Sequence, residues 1–202
     1  MKINQLKLSL LFIAAICCAG CSLLSPVKVT DKGTYFFNPA LTIKKARNTG
    51  KSILVTEPIA AAGYTSYNMA YIEKPSELSY YTRNRWVAPP AQMLQPLIVQ
   101  ALQQSHRFRA VVQAPFSGKT TYRLDVDLVY VRQNLLTQPH QMEIALQARL
   151  VNNSNQNIIA SRLITRSEPI LAVTPYSGVL AANQALSNMF AELSRFCVQN
   201  TR

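Results

Sequence analysis

Histidines and paired carboxylates are the side chains of this sequence that could carry out catalysis or bind a metal. His106 and His140 are both flanked by residues typical of loops. His106 also follows a predicted helix, where it could interact favourably with the negative end of the helix dipole. Asp125 and Asp127 share one face of a predicted strand, where they could bind a cation or simply face solvent. No GxSxG or HExxH motif occurs, and six glycines are too few for a phosphate-binding loop. We therefore expect no enzyme activity, no metal site and no cofactor.

Cys21 carries the most specific predicted chemistry, which is acylation of its thiol. Lys2 and Lys7 precede an uncharged apolar run, Leu8 to Ala19, which is short for a bilayer span and typical of a secretory signal peptide. The run ends in Cys18-Ala19-Gly20-Cys21, which resembles the lipobox of bacterial lipoproteins, with Cys18 where leucine is usual. The alternative is an ordinary secreted protein with a structural cysteine.

The lipobox divides the chain into a signal peptide at 1–20, a lipidated tether at 21–32 and a single domain at 33–202. In enterobacterial lipoproteins, Asp after the cysteine commonly retains the protein at the inner membrane. Ser22 therefore favours the outer membrane, with the domain on its periplasmic face. Each acyl methylene contributes about 0.8 kcal/mol, so several chains anchor stably. Cys197 would be the only thiol left, and it is expected to be a small buried residue.

The chain is strongly basic. It has 202 residues and a formal net charge of +12, and residues 21–202 carry 12 − 2 = +10 because Lys2 and Lys7 precede Cys21. A basic surface attracts anions such as lipid headgroups or acidic proteins, although the charge is also compatible with general solubility. The sequence contains neither a run of Lys or Arg nor a zinc-ligand spacing, so it does not favour nucleic-acid binding.

Hydrophobic periodicity predicts two helices and a series of short strands. Apolar residues recur at helical spacing in 91–104 and 180–197, although Pro96 is expected to kink the first helix. Alternation is clearest in Tyr122–Arg132, where Tyr122 to Tyr130 would share one face at every second position. The pattern favours a single-domain α/β fold with helices packed on a mixed sheet. The predicted strands lie at about 34–37, 52–55, 69–72, 78–81, 108–113, 122–132, 142–150 and 158–167.

Aromatic and basic residues cluster between the fourth predicted strand and the first helix. Tyr81, Arg83 and Arg85 combine rings with guanidinium groups, a composition enriched in binding hot spots. They could contact a partner, or the aromatic residues could instead fill the core. Trp86 and Pro90 are expected to be structural, with Trp86 packing a helix onto the sheet and Pro90 in the first helical turn.

This cluster lies in a longer motif, MAYIEKPSELSYYTRNRWVAPPAQMLQPLIVQAL at 69–102. The motif resembles the ABC-type transport auxiliary lipoprotein family, of the paraquat-inducible protein C type. The matching positions combine rare residues at fixed offsets, among them Tyr71, Pro75, Asn84, Trp86 and Pro90. Weaker similarity covers about residues 33–198.

The resemblance implies a three-layer α/β/α domain and a role in lipid transport. Such a protein would be anchored in the outer membrane and would dock the distal end of a periplasm-spanning mammalian-cell-entry (MCE) domain protein there, as part of an ABC-type phospholipid transport system. It could also form a homo-oligomer. The alternatives are a carrier that binds lipid in an apolar groove and a structural lipoprotein of another envelope machine.

Overall fold

Strand β7 organises the fold of this protein, which is described here from a computed structural model covering residues 32–201. A 3₁₀ turn at Ala62–Tyr64 follows β3. The helices are α1 (Pro90–Gln104) and α2 (Pro175–Asn200). The strands are β1 (Gly33–Tyr35), β2 (Ser52–Val55), β3 (Ile59–Ala60), β4 (Asn68–Ile72), β5 (Ser79–Trp86), β6 (Ala110–Gln113), β7 (Tyr122–Asn134), β8 (Gln141–Asn152) and β9 (Ile158–Pro169).

The strands form one mixed sheet around β7. On one side, β2, β3 and β4 follow one another along β7, and each is parallel to it. The parallel strand β6 extends the sheet beyond β2, while β5 and then β1 extend it beyond β4. On the other side, β8 and then β9 add an antiparallel meander. A single long strand therefore joins two short blocks of sheet, β2 with β6 and β4 with β5 and β1, to the antiparallel meander.

Both helices pack on the same face of this sheet. Ile53 and Val55 of β2 are buried beneath α1, and the buried face of β8 lies beneath α2. The two helices also contact each other, and their buried side chains belong to one continuous core. The predicted fold class, a single-domain α/β fold with helices on a mixed sheet, is confirmed. The arrangement has two layers within residues 32–201, rather than the three that the resemblance implied, because both apolar helix stripes use the same sheet face.

The opposite face of the sheet is polar and carries ion pairs. Asp125 contacts Arg123 at 3.0 Å, and Asp127 contacts Arg149 at 2.6 Å. Both carboxylates are thus paired with arginine instead of forming an open cation site. Within residues 32–201, no group of three or more His, Cys, Asp or Glu side chains is arranged to hold a metal. His106 follows α1 with φ of 55°, a left-handed conformation typical of a helix C-terminus.

Three local features differ from the sequence expectations. The prediction that Tyr130 shares the face of Leu128 is wrong, because a bulge between these residues turns Val131, only 2% exposed, towards the helices. The segment Arg83–Trp86, expected to be a link, is the second half of β5. Helix α2 begins five residues before the predicted start, at Pro175.

Candidate functional site

The three predicted partner-binding residues, Tyr81, Arg83 and Arg85, all lie on β5, between β1 and β4. A large β-bulge shapes this part of the strand. The ladder with β4 passes from the pair Asn68–Arg85 to the pair Ala70–Tyr80, so β5 uses three more residues than β4 (85 − 80 = 5 against 70 − 68 = 2). Tyr81 to Asn84 therefore have no ladder partner on β4. Bulges of this kind redirect side chains and often border functional sites.

A polar cavity of about 310 Å³ opens at the bulge. Three cations surround it, Lys32, Arg83 and Arg85, and none of them forms an ion pair with a carboxylate of residues 32–201. The guanidinium of Arg85 lies 5.7 Å from the centre of the Tyr67 ring, a cation–π contact that restricts its position. The remaining lining residues are Gly33, Thr34, Asn68, Tyr81, Thr82 and Asn84, and no acidic side chain is among them.

Asn84 is the cavity residue that sequence reasoning did not single out for binding. It is only 5% exposed, and its side chain forms no hydrogen bond with any described residue. Its amide atoms are not completely buried, unlike Nε1 of Trp86, so they can form hydrogen bonds with water or with a ligand in the cavity. Its position between two arginines was the available indication. Lys32, which is 51 residues from Arg83 in sequence, could not have been placed beside it without the pairing of β1 with β5.

Tyr81 is held more firmly than the two arginines. Its hydroxyl donates a hydrogen bond to Oε1 of Gln133 at 3.0 Å, and its ring centre lies 4.8 Å from that of Tyr71. Burial raises the pKa of Tyr81 to about 12, with smaller contributions from Tyr71 and Glu73. The neighbouring Tyr80 is 37% exposed, and its hydroxyl donates to the carbonyl of Gly63. Tyr81 is therefore a half-buried residue that borders the cavity, whereas Arg83 and Arg85 reach solvent.

Trp86 and Pro90, the two residues predicted to be structural, are both buried. Trp86 is 2% exposed, and its ring centre lies 4.6 Å from that of Phe37. It pairs with Tyr35 across β1 and β5 and so ties the edge of the sheet to the core. Pro90 is the first residue of α1, where a missing N–H leaves no intrahelical hydrogen bond unmade.

Two further cavities lie elsewhere on the domain. An apolar groove of about 400 Å³ runs between Thr42–Ala46 and the last turns of α2, and Lys44, Lys45 and Arg195 border it. The other cavity, of about 430 Å³, lies on the polar sheet face among the ion pairs of Asp125 and Asp127. Between sheet and helices, the void lined by Trp86, Met69 and Gly178 has no room for a water molecule.

The predicted lipidation site, Cys21, lies outside the residues that the structure describes, as do the signal peptide at 1–20 and all of the predicted tether (21–32) except Lys32. Neither α1 nor α2 has the length and apolar character of a transmembrane helix, and the same holds for any helix within residues 32–201.

The fold and the sequence of this protein both resemble those of known proteins. The crystal structure of protein XCC0632 from Xanthomonas campestris is similar over 83% of this chain and 95% of its own, with 24% identity and a TM-score of 0.72. The crystal structure of an uncharacterized protein is similar over 84% of this chain and 98% of its own, with 13% identity and a TM-score of 0.62. At these identities the likeness shows a shared fold. No curated protein matches the sequence. The family model described as "ABC-type transport auxiliary lipoprotein component" matches residues 37–195, most of the chain, and the protein therefore belongs to that family.

Proposed function

We propose that this protein is an outer-membrane-anchored, periplasmic lipoprotein subunit of an ABC/MCE-type phospholipid transport system. Its work is to dock the periplasm-spanning MCE-domain protein at the outer membrane. The observation that carries the proposal is the family match across residues 37–195, which names a transport auxiliary lipoprotein rather than an enzyme.

The anchor is proposed from the sequence. Cys21 follows the small residues Ala19 and Gly20 at the end of an apolar run, and Ser22 favours sorting to the outer membrane. Lys32, where the described domain begins, is eleven positions after Cys21. A fully extended chain of that length spans at most about 36–40 Å. The β5 site, which includes Lys32, would therefore lie within that distance of the membrane surface.

The docking surface is proposed at the β5 site. Arg83 and Arg85 are exposed cations without carboxylate partners in the described domain, so both remain available to an acidic surface. Arginine forms directional, paired hydrogen bonds with carboxylates, which suits it to protein interfaces. The charge of +10 on residues 21–202 would also speed the encounter with an acidic partner, and this effect weakens in salt.

A direct lipid carrier is the alternative function. A carrier needs an apolar pocket large enough for acyl chains. The space between sheet and helices is filled by close-packed side chains, which favours docking over carriage. The apolar groove beside α2, of about 400 Å³, is the feature of the described domain that a carrier would use.

Binding to the immobilised cognate MCE-domain protein tests the proposal. The full chain, purified in a non-ionic detergent, is expected to bind, and Arg83→Glu with Arg85→Glu should weaken binding about tenfold or more at low salt. The matched control is Arg109→Glu with Arg195→Glu, which reverses two exposed arginines on other elements and should have a much smaller effect. Wild-type protein that fails to bind would contradict the docking function. Equal losses in both double variants would instead remove Arg83 and Arg85 from the interface.

A further inference from the structure

The cavity at the β5 bulge has the chemistry of an anion site. Its three charged lining residues, Lys32, Arg83 and Arg85, are all cations, and none has a carboxylate partner among residues 32–201. Phosphate oxygens accept the paired N–H groups of arginine well, and lysine adds a mobile positive charge. The hydroxyls of Thr34 and Thr82, which also line the cavity, are further possible donors.

Asn84 indicates that a ligand enters the cavity rather than merely approaching the surface. Its side chain is nearly enclosed, borders the cavity, and has no hydrogen-bond partner among the described residues. The amide N–H₂, which reaches the cavity, could donate a hydrogen bond to a bound phosphate in place of water. The bulge explains the arrangement, because the three extra residues of β5 bring Arg83, Asn84 and Arg85 around one concavity.

Exposed apolar residues lie close to these cations. Phe36 and Val87 are 59% and 60% exposed, and Val87 donates a backbone hydrogen bond to the carbonyl of Tyr35. Tyr176 of α2, 57% exposed, lies with its ring centre 6.2 Å from that of Tyr35. Strand β1 joins the two regions, with Lys32 before its first residue and Phe36 after its last, roughly 13 Å apart along the strand. Cations next to exposed apolar side chains suit an anionic amphiphile better than a free inorganic ion.

We propose that this cavity binds the phosphate group of a phospholipid headgroup, with Arg83, Arg85 and Lys32 as its charged ligands and Asn84 as its buried donor. The source of the lipid rests on the proposed function, since a docking subunit would meet phospholipid where the periplasm-spanning partner reaches the membrane. A volume of about 310 Å³ accommodates a headgroup, while the acyl chains would remain outside, against the membrane or the partner.

Titration calorimetry with water-soluble probes tests this site without the partner protein. The full chain in a non-ionic detergent is titrated at low salt with glycerophosphoglycerol, the deacylated headgroup of phosphatidylglycerol, and separately with inorganic phosphate. Glycerophosphoglycerol is expected to bind more tightly than inorganic phosphate. Arg83→Gln with Arg85→Gln should raise its dissociation constant at least about tenfold. Asn84→Leu should also weaken binding, because it removes the hydrogen-bond donor while keeping the branched shape of the side chain.

The control is Arg109→Gln with Arg195→Gln, which removes the same charge from two other exposed positions and should change the dissociation constant less than about twofold. Melting temperatures identify any variant that fails to fold, and the arginine pair, being exposed, keeps the test decisive if Asn84→Leu does not fold. An absence of binding by both probes, or equal losses in the two arginine pairs, would overturn the site. Tighter binding of inorganic phosphate would overturn its assignment to a lipid headgroup. None of these results depends on the MCE-domain protein, so they are separable from a failure of docking.

Discussion

Truncation of Trp86 should strongly destabilise the domain. The side chain is 2% exposed and packs on Phe37 with 4.6 Å between ring centres. Burial of an aromatic side chain removes roughly 200 Å² from water, which at about 25 cal/mol per Å² corresponds to about 5 kcal/mol. Measured truncations of core aromatic residues fall at about 3–5 kcal/mol. We therefore expect Trp86→Ala to lower the free energy of unfolding by about 3–5 kcal/mol.

Trp86→Phe separates the packing of this residue from its hydrogen bonding. The indole Nε1 is buried, and no described residue accepts a hydrogen bond from it. The void that Trp86 lines has no room for a water molecule. Replacement by phenylalanine therefore removes an unpaired donor together with part of the ring, and the two effects oppose each other. We expect this variant to lose less than about 2 kcal/mol, well below the loss in Trp86→Ala.

Chemical denaturation of the full chain, followed by circular dichroism, measures the free energy of unfolding that each variant loses. In thermal unfolding, the melting temperature of Trp86→Ala should fall by about 6–20 °C, since 1 kcal/mol corresponds to about 2–4 °C in a domain of this size. Phe116→Ala is the control, because Phe116 is 46% exposed and its loss should be below about 1 kcal/mol. If Trp86→Ala lowered the free energy of unfolding by less than about 1 kcal/mol, the assignment of Trp86 to the hydrophobic core would be refuted.

Two further predictions concern the cysteines. Cys21→Ala should abolish labelling by radioactive palmitate and leave the protein unprocessed or unanchored, and normal labelling of this variant would contradict the lipobox assignment. In the mature protein, Cys197 should be the only free thiol and should react with maleimide only in denaturant, as mass spectrometry can determine. Burial raises the pKa of Cys197 to about 12, so its reactive thiolate is scarce near neutral pH. Because the folded pKa is raised above the ordinary value of 9.0, the folded state should lose stability as the pH rises from about 9 towards 12. Rapid labelling of the native protein at neutral pH would show that Cys197 is accessible.

Sequence periodicity determined most of the secondary structure. Alternation in Tyr122–Leu128 and Met142–Leu150 identified the buried faces of β7 and β8, because residues two apart must point to the same side of a strand. Helical spacing identified α1 and α2, and Pro90 marked the start of α1. The motif at 69–102 was sufficient to indicate the family to which the chain belongs. These features are local, so neighbouring residues carry the information that defines them.

The tertiary structure alone decided how those elements share space. Periodicity gives each helix one apolar stripe but does not say which sheet face it covers, and here both helices cover the same face. The bulges in β5 and β7 arise from registers between strands, and these depend on residues far apart in sequence. Local periodicity for that reason predicts neither the face of Tyr130 nor the strand conformation of Arg83–Trp86. The cavity likewise exists because β1 pairs with β5, which places Lys32 beside Arg83 and Arg85 and encloses Asn84 between them. The sequence determines the type and charge of each residue, but strand pairing between distant segments determines which residues meet at one site.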